Sequence, residues 1–261
     1  MLAIIGGTGL TKLPGLNITH RQVVRTPYGE PSGALTFGEL DGHKVIFLAR
    51  HGYGHTIPPH LVNYRANIWA LQSQGVTHVV SVATVGGIHP ELRPGRLVVP
   101  DQIIDYTHGR ETTFFTPGEQ PVTHIDFTWP YCPDMRARCL TALKRAGEDF
   151  MDGGTYAAVQ GPRLETKAEV DRLERDGAHM VGMTGMPEAA LARELGLCYA
   201  AIGVSVNWAA GRGDSRASIS PEAIEANLAA VMGRVLNVLK GLACMDYGEA
   251  VPPVPGGVCS V

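Results

Sequence analysis

The chain has 261 residues, of which 44% are hydrophobic and 18% are charged, and its formal net charge at pH 7 is -3. This composition excludes a disordered chain and argues against broad electrostatic binding of nucleic acid or of an anionic membrane. No linker, charge block or low-complexity run divides the sequence, so we predict a single α/β domain over residues 1–261, with a C-terminal tail from about residue 248.

The cysteines are five in number and none forms a C-x-x-C pair, so the sequence predicts neither a disulfide scaffold nor a zinc ribbon. We therefore expect reduced thiols. The chain enters an apolar run directly after Met1, without the basic segment or the long apolar stretch that export requires. No other stretch approaches the length of a membrane span, and we expect a cytoplasmic protein.

The first predicted element is a short buried strand over Leu2–Ile5, which ends in the glycine loop Gly6-Gly7-Thr8-Gly9. Glycines at this place let backbone amides approach a ligand closely, and the Thr8 hydroxyl adds a donor. The loop lacks the Walker lysine and the full dinucleotide fingerprint. On its own, a plain turn explains it equally well.

A second buried strand, Val45–Ala49, runs directly into Arg50-His51-Gly52. It lies in a stretch from Gly42 to Pro90 that has no Asp or Glu but has three Lys or Arg side chains and six histidines. Because open α/β sheets bind ligands at the carboxyl ends of their strands, we predict that this turn is part of an anion site. A surface ion pair of Arg50 is the alternative.

Helical spacing then predicts a helix over Asn63–Gln74, followed by a β-branched strand over Thr77–Ala83. We interpret the next residues, Thr84-Val85-Gly86-Gly87, as a second glycine turn at a strand end. Two such turns that converge on Arg50 would form a cradle for an anion such as phosphate.

The segment Thr107–Thr128 is polar, contains prolines and lacks a helical period, so we predict a long loop, and such loops are often functional. Its His124 is by default a solvated surface imidazole. Further along, Glu165 directly precedes a predicted capping box over Thr166–Glu169. The remaining predicted elements are strands over 97–100, 103–104, 156–159, 180–184 and 198–206, helices over 132–146 and 220–239, and a helix that Gly185-Met186-Pro187-Glu188 opens.

Several of these motifs, in this order, resemble those of the purine nucleoside phosphorylase and methylthioadenosine phosphorylase superfamily over nearly the whole chain. They are Gly6-Gly7-Thr8-Gly9, Ala49-Arg50-His51-Gly52, His55-Thr56-Ile57-Pro58, the segment 62–71, Gly161-Pro162-Arg163 and Met183-Thr184. The resemblance implies a mixed, partly barrel-like sheet surrounded by helices and a homotrimer with active sites near subunit contacts. It also implies phosphorolysis of a nucleoside, with inorganic phosphate as co-substrate and neither cofactor nor metal.

The same resemblance assigns roles to individual residues. The phosphate ligands would be Thr8, Arg50, His51, Ala83, Thr84 and Thr184, with His51 and Asn207 as catalytic residues. The nucleoside would contact Met183 at the ribose, Leu164 beside Glu165, and His55 and His124 near the 5' end, with His124 supplied by a neighbouring subunit. Ile219 and Ile224 would help form an apolar wall for a methylthio group.

The base pocket departs from the methylthioadenosine branch. Phosphorylases of that branch carry two aspartates after the last strand, whereas this chain reads Val206-Asn207-Trp208-Ala209. In the branch that cleaves 6-oxopurine nucleosides an Asn stands at the first position and a Glu follows Gly-Pro-x-x, and Asn207 and Glu165 are similar to that pair. A carboxylate at Glu165 accepts from the N1–H of hypoxanthine but would face a lone pair on N1 of adenine.

The combination predicts a phosphorylase for 5'-methylthioinosine. A general inosine or guanosine phosphorylase and a methylthioadenosine phosphorylase are the nearby alternatives. A nucleoside hydrolase would not need the anion cradle, since water is its nucleophile. A metal-binding protein could use His51, His55 and His60, but no carboxylate or cysteine lies near them in the sequence.

Overall fold

The computed structural model describes residues 1–115 and 123–248 and the backbone of residues 258–260. Its strands are β1 (Leu2–Gly6), β2 (Leu16–Gln22), β3 (Leu35–Leu40), β4 (His43–Ala49), β5 (His78–Gly87), β6 (Leu97–Val99), β7 (Gln102–Asp105), β8 (Thr123–Ile125), β9 (Phe150–Asp152), β10 (Thr155–Ala158), β11 (Met180–Gly182), β12 (Cys198–Trp208) and β13 (Val258–Ser260). Its α-helices are α1 (Tyr64–Ser73), α2 (Pro133–Arg145), α3 (Lys167–Arg175), α4 (Gly185–Glu194) and α5 (Pro221–Ala243).

An eleven-stranded mixed sheet lies at the centre and is covered on both faces. Alternate residues of a strand point to opposite faces, and β1 shows the result. Leu2 and Ile4 belong to a core cluster that includes side chains of α2 and α5, whereas Ala3 and Ile5 belong to a cluster that includes side chains of α1 and α4. The predicted mixed sheet surrounded by helices is thus confirmed.

Strand β5 is the branch point of the sheet. Its first half lies between β1 and β12, and both of these neighbours run parallel to it. Its last residues, Gly86 and Gly87, pair with β11 in the antiparallel direction while β12 continues on the other side. The interpretation of these glycines as a turn is therefore wrong. A Cβ on Gly87 would overlap the Leu92 carbonyl oxygen, so the glycine lets the segment that follows β5 pack closely against the strand.

The helix starts agree with the capping signals in the sequence. The Asn63 side chain accepts from the N–H of Ala66 at the start of α1, and Ser220 accepts from the N–H of Ala223 at the start of α5. The capping box of Thr166 and Glu169 is present before α3. Helix α5 ends four residues beyond the predicted Leu239, because its apolar face continues through Leu242 and Ala243.

Strands β2, β3, β8, β9 and β13 lie where no strand was predicted. All but the first residue of β2 are exposed, so it has no buried, apolar face to reveal it in the sequence. The predicted loop over 107–128 contains β8, which pairs antiparallel with β13 in the predicted tail, and His124 stands opposite Cys259 in register. Residues 116–122 of that loop and 249–257 and 261 of the tail lie outside the described residues.

The expectation of reduced thiols is wrong for one pair of cysteines. Cys132 and Cys198 form a disulfide with a Cα–Cα distance of 5.1 Å, across a sequence separation of 66. The N–H of Cys132 donates to the Tyr199 carbonyl at 2.8 Å, and this bond holds the start of α2 beside the start of β12.

None of the helices in residues 1–115 and 123–248 combines the length and the apolar character needed to cross a membrane.

Candidate active site

A cavity of about 580 Å³ opens at the carboxyl ends of β1, β4, β5 and β12 and beside the end of β11. All but two of the site residues predicted from the sequence line it. They are Thr8, Arg50, His51, His55, Ala83, Thr84, Leu164, Glu165, Met183, Thr184, Asn207 and Ile224. Ile219 is half-buried and His124 is exposed, and neither lines this cavity in its own chain.

Arg50 is fully buried beneath one end of the cavity. Its Nε and Nη2 donate to the Glu188 carboxylate at 2.6 and 3.0 Å, Nη2 also donates to Ser81 Oγ at 2.5 Å, and Nη1 donates to the Val82 carbonyl at 3.2 Å. The predicted alternative of a surface ion pair is wrong, because both partners are inside the protein. Burial alone would lower the pKa of Arg50, but the Glu188 carboxylate outweighs it and raises the pKa, so the guanidinium stays charged.

Glu188 does not line the cavity but binds Arg50 beneath it, a role that the sequence did not reveal. Its Oε1 accepts from Ser81 Oγ at 2.7 Å and from Tyr199 Oη at 2.8 Å, in addition to Arg50. The side chain is 1% exposed. Its one signal in the sequence is a carboxylate beside the apolar residues that open α4, which we interpreted only as a helix start.

His51 is held as a neutral imidazole with one defined tautomer. Its Nδ1 lies 2.8 Å from the Ile57 carbonyl oxygen, and because a carbonyl only accepts, Nδ1 carries the proton. Burial, followed by the charge of Arg50, lowers the pKa of His51 to about 4. Nε2 therefore keeps its lone pair near neutral pH and can accept a hydrogen bond from a ligand.

Small polar groups complete this end of the cavity. Thr8 Oγ1 lies 3.1 Å from His55 Nε2, and Thr84 and Thr184 also line the cavity. Gly7 follows β1, and a Cβ at this position would come within 2.8 Å of Arg50 Nη1 and 2.7 Å of the Val82 carbonyl oxygen. Only glycine lets this loop lie against Arg50, so the predicted convergence of the first glycine loop with Arg50 is present.

Glu165 and Asn207 also line the cavity. Asn207 Nδ2 donates one hydrogen bond to the Trp208 carbonyl at 2.7 Å, and its second N–H and its Oδ1 have no partner among the described residues. Burial is the main cause of the raised pKa of Glu165, and the nearby Glu169 adds to it. Apolar side chains line the same cavity, among them Ile57, Pro162, Val181, Val206 and Ile224.

Arg110 connects two walls of the cavity from behind. Its guanidinium donates to the carbonyls of Gln160 and Met183 at 2.9 Å each and to that of Met186 at 2.6 Å. It also lies over the Tyr64 ring, 5.5 Å from the centroid. The sequence offered only the polar loop around it as a signal. Arg110 thus holds both the segment that leads to Glu165 and the segment that carries Met183.

The histidine metal site considered from the sequence is not assembled. In the described part of the chain, the one group of three or more metal-type donors is His78, Asp134 and Cys198, at the opposite ends of β5 and β12 from the cavity. His51 and His55 are in ring contact at 4.9 Å, but they form no such group with His60.

The comparison with known families agrees with this geometry. The Phosphorylase superfamily matches residues 1–243, and the chain belongs to this superfamily, as its motifs predicted. More narrowly, it is an enzyme of the purine nucleoside phosphorylase family.

Individual relatives support the narrower placement. The chain is 55% identical over 233 residues to a probable S-methyl-5'-thioinosine phosphorylase of Pseudomonas syringae pv. tomato, covering 89% of this chain and 94% of the relative. It is 46% identical over 215 residues to the 6-oxopurine nucleoside phosphorylase of Pyrococcus furiosus, covering 80% of each. Among solved structures, methylthioadenosine phosphorylase from Schistosoma mansoni in complex with adenine matches with a TM-score of 0.88 and 29% identity, covering 94% and 93% of the two chains.

Proposed function

We propose that this enzyme cleaves 5'-methylthioinosine by phosphorolysis and releases hypoxanthine and 5-methylthioribose 1-phosphate. The observation that carries the proposal is that Glu165 and Asn207 line the same cavity as Thr8, His51 and Thr84. One cavity thus offers both a reader of the 6-oxopurine edge and donors for an anion.

Phosphate occupies the end beside Arg50 in this proposal. Hydroxyls of Thr8, Thr84 and Thr184 donate to its oxygens together with backbone N–H groups near Ala83, while the charge of Arg50 lies directly behind Gly7. The neutral His51 accepts the phosphate O–H at Nε2, so the remaining phosphate oxygens stay negative and face the sugar.

The glycosidic bond between the ribose and the purine then breaks through a transition state with positive charge on the ribose ring. The phosphate dianion, held by the groups described above, is both the nucleophile and the electrostatic partner of that charge, and Met183 packs against the sugar. The purine gathers negative charge as it leaves. Asn207 supplies an amide N–H to O6 or N7 of the base, and Glu165 accepts from N1–H.

Two features favour a methylthio group at the 5' position. Ile224 lines the cavity and Ile219 does not, so the apolar wall belongs to Ile224 and to its neighbours in the cavity. The curated relatives from Pseudomonas syringae and Xanthomonas campestris, each 55% identical to this chain, are named as probable S-methyl-5'-thioinosine phosphorylases. An inosine 5'-hydroxyl would lose its hydrogen bonds to water against such a wall.

The proposal also includes a homotrimer in the cytoplasm that needs no cofactor besides phosphate. His124 is exposed and outside the cavity of its own chain, which suits a role in a neighbouring subunit's site. Mixing His124→Ala with Asn207→Ala subunits, each of low activity, is expected to restore part of the activity. No recovery after demonstrated subunit exchange would remove His124 from the proposed site.

The decisive experiment is a panel of four nucleosides, each with and without phosphate: methylthioinosine, methylthioadenosine, inosine and adenosine. We expect phosphate-dependent release of hypoxanthine and the highest kcat/KM for methylthioinosine. Equal turnover without phosphate would indicate a hydrolase, and equal kcat/KM for methylthioinosine and inosine would indicate a general phosphorylase.

A further inference from the structure

We propose that Cys132 and Cys198, when reduced, form a zinc site together with His78 and Asp134. These four residues form one cluster at the starts of β5, β12 and α2. Thiolate sulfur, imidazole nitrogen and carboxylate oxygen are the ligands that zinc takes in proteins, usually four of them in tetrahedral geometry.

Three of the four donor groups of the cluster already lie together. Single ligand atoms of His78, Asp134 and Cys198 are all within 4.8 Å of one another. His78 Nε2 is 3.2 Å from Asp134 Oδ2, and the Cys132 sulfur is bonded to that of Cys198. Zinc bonds of about 2.3 Å to sulfur and about 2.0 Å to nitrogen then require the side chains of these three residues to close on the metal and the reduced Cys132 side chain to turn toward it.

The backbone positions these four residues independently of the disulfide. His78 and Cys198 are the first residues of β5 and β12 and are register partners in the parallel pair. Cys132 is the N-cap of α2 and Asp134 lies in its first turn. The N–H of Cys132 donates to the Tyr199 carbonyl at 2.8 Å, so the helix start stays beside the strand start when the thiols are reduced.

The residues around the cluster suit a bound cation of this type. His78 Nδ1 lies 2.8 Å from Thr77 Oγ1, so once Nε2 binds a metal, Nδ1–H donates to this hydroxyl and fixes the ring. Zinc with two thiolates, one carboxylate and a neutral imidazole carries a net charge of -1. Arg138, whose Nε donates to Asp134 Oδ2 at 2.7 Å, supplies the balancing positive charge.

Disulfide and metal are mutually exclusive in this proposal. The S–S bond takes up two electrons from a reductant before zinc binds. With a phosphine, the phosphine becomes its oxide, and water supplies the oxygen and the two thiol protons. Each thiol then releases its proton as the sulfur coordinates the metal.

The cluster is remote from the proposed active site. Strands β5 and β12 carry the cluster at their first residues, and the first cavity residues along them are Ala83 and Val206. Ala83 is five residues beyond His78, which corresponds to roughly 17 Å of extended strand. The metal is therefore structural, and phosphorolysis by the metal-free enzyme does not test it.

The test uses the full chain reduced with a phosphine and titrated with Co²⁺, whose thiolate complexes absorb in the near ultraviolet and visible. We expect one equivalent of Co²⁺ per chain, displacement by Zn²⁺, and no uptake by the oxidised chain. Cys198→Ser and His78→Ala are expected to lower the affinity at least tenfold, and Thr77→Val roughly tenfold. Cys244→Ser, at an exposed free cysteine, is the matched control and is expected to bind as the wild type does.

A second measurement needs no variant. Bound Zn²⁺ is expected to protect Cys132 and Cys198 of the reduced chain from alkylation, while Cys244 reacts at an unchanged rate, as read by mass spectrometry. No cobalt uptake by the reduced wild type would overturn the proposal. So would alkylation of Cys132 and Cys198 at the same rate with and without zinc.

Discussion

Arg50 and Glu188 form a doubly hydrogen-bonded ion pair inside the protein, Nε to Oε2 at 2.6 Å and Nη2 to Oε1 at 3.0 Å. Their side chains are 0% and 1% exposed. Because Ser81 and Tyr199 also donate to Glu188, the carboxylate is fixed from several directions and in turn fixes the guanidinium. The positive charge behind the proposed phosphate site is thus in place before any ligand binds.

The first prediction concerns this pair. Replacing Glu188 with Gln leaves the buried Arg50 charge without its counterion, and we expect a loss of about 3 to 5 kcal/mol in the free energy of unfolding. We also expect a higher KM for phosphate, since Arg50 is no longer held in place. Chemical denaturation and phosphate-dependent kinetics measure the two effects.

The control for Glu188→Gln is an ion pair at the surface. Arg93 and Asp149 are 61% and 54% exposed, with Nη2 and Oδ2 2.7 Å apart. Arg93→Gln is expected to change the free energy of unfolding by less than about 1 kcal/mol and to leave the KM for phosphate unaltered. A similar loss in both variants would show that the burial of the Glu188 pair has no special effect.

The second prediction is a pH dependence of stability that originates at His51. Its pKa is about 4 in the folded protein and about 6.5 in an unfolded chain, so the unfolded chain binds the proton more readily. The stability contributed by the neutral imidazole is complete above pH 6.5 and is lost as the pH falls toward 4. We expect a loss of about 3 kcal/mol from this group between pH 7 and pH 4.

Urea denaturation in phosphate-free buffers across this range measures the effect. His51→Gln removes the titrating group. The free energy of unfolding of this variant is expected to fall by about 3 kcal/mol less than that of the wild type between pH 7 and pH 4. If both proteins lose stability in parallel between pH 7 and pH 4, other groups are responsible.

The third prediction concerns the choice of base. Asn207→Asp is expected to lower the preference for methylthioinosine over methylthioadenosine at least tenfold, because a carboxylate accepts from the 6-amino group and repels O6. Glu165→Gln is expected to act in the same direction, since its amide can donate to N1 of adenine. The ratio of the two kcat/KM values is the measurement.

Glu169→Gln is the matched control for Glu165→Gln. Glu169 belongs to the capping box and pairs with Arg163, but it does not line the cavity. An equal change of the ratio in both variants would contradict the assignment of Glu165. The methylthioadenosine branch carries a second aspartate after the last strand. An aspartate at Ala209 is not part of this test, because Ala209 is 1% exposed and packs in an apolar cluster with Val181 and Leu173.

The fourth prediction concerns Arg110. Lysine at this position keeps the charge but cannot reproduce the planar fork that binds the carbonyls of both walls. We expect kcat/KM for methylthioinosine to fall roughly tenfold to a hundredfold, because Glu165 and Met183 lose their fixed separation.

Arg172→Lys is the control, since Arg172 also lies over an aromatic ring, that of Tyr106 at 5.7 Å, but its side chain is 69% exposed. It is expected to retain wild-type kcat/KM. An unchanged kcat/KM in Arg110→Lys would show that the two walls hold their positions without this guanidinium.

Local chemistry made much of the molecule predictable. Buried strands such as Val45–Ala49 appear in the sequence as apolar runs, and the starts of α1, α3 and α5 carry their own capping residues. These signals depend on neighbours within a few residues. The site residues were predicted because the motifs that resemble the superfamily lie at the ends of such strands.

Contacts between distant segments were decided only by the tertiary structure. Glu188 acquires its place from Arg50, 138 residues earlier, and no local pattern distinguishes a buried carboxylate from one that opens a helix. Gly86 and Gly87 resemble a turn in the sequence, yet β11 and β12 extend the sheet across them. Cys132 and Cys198 meet because α2 starts beside β12, a proximity that depends on packing and that composition cannot reveal.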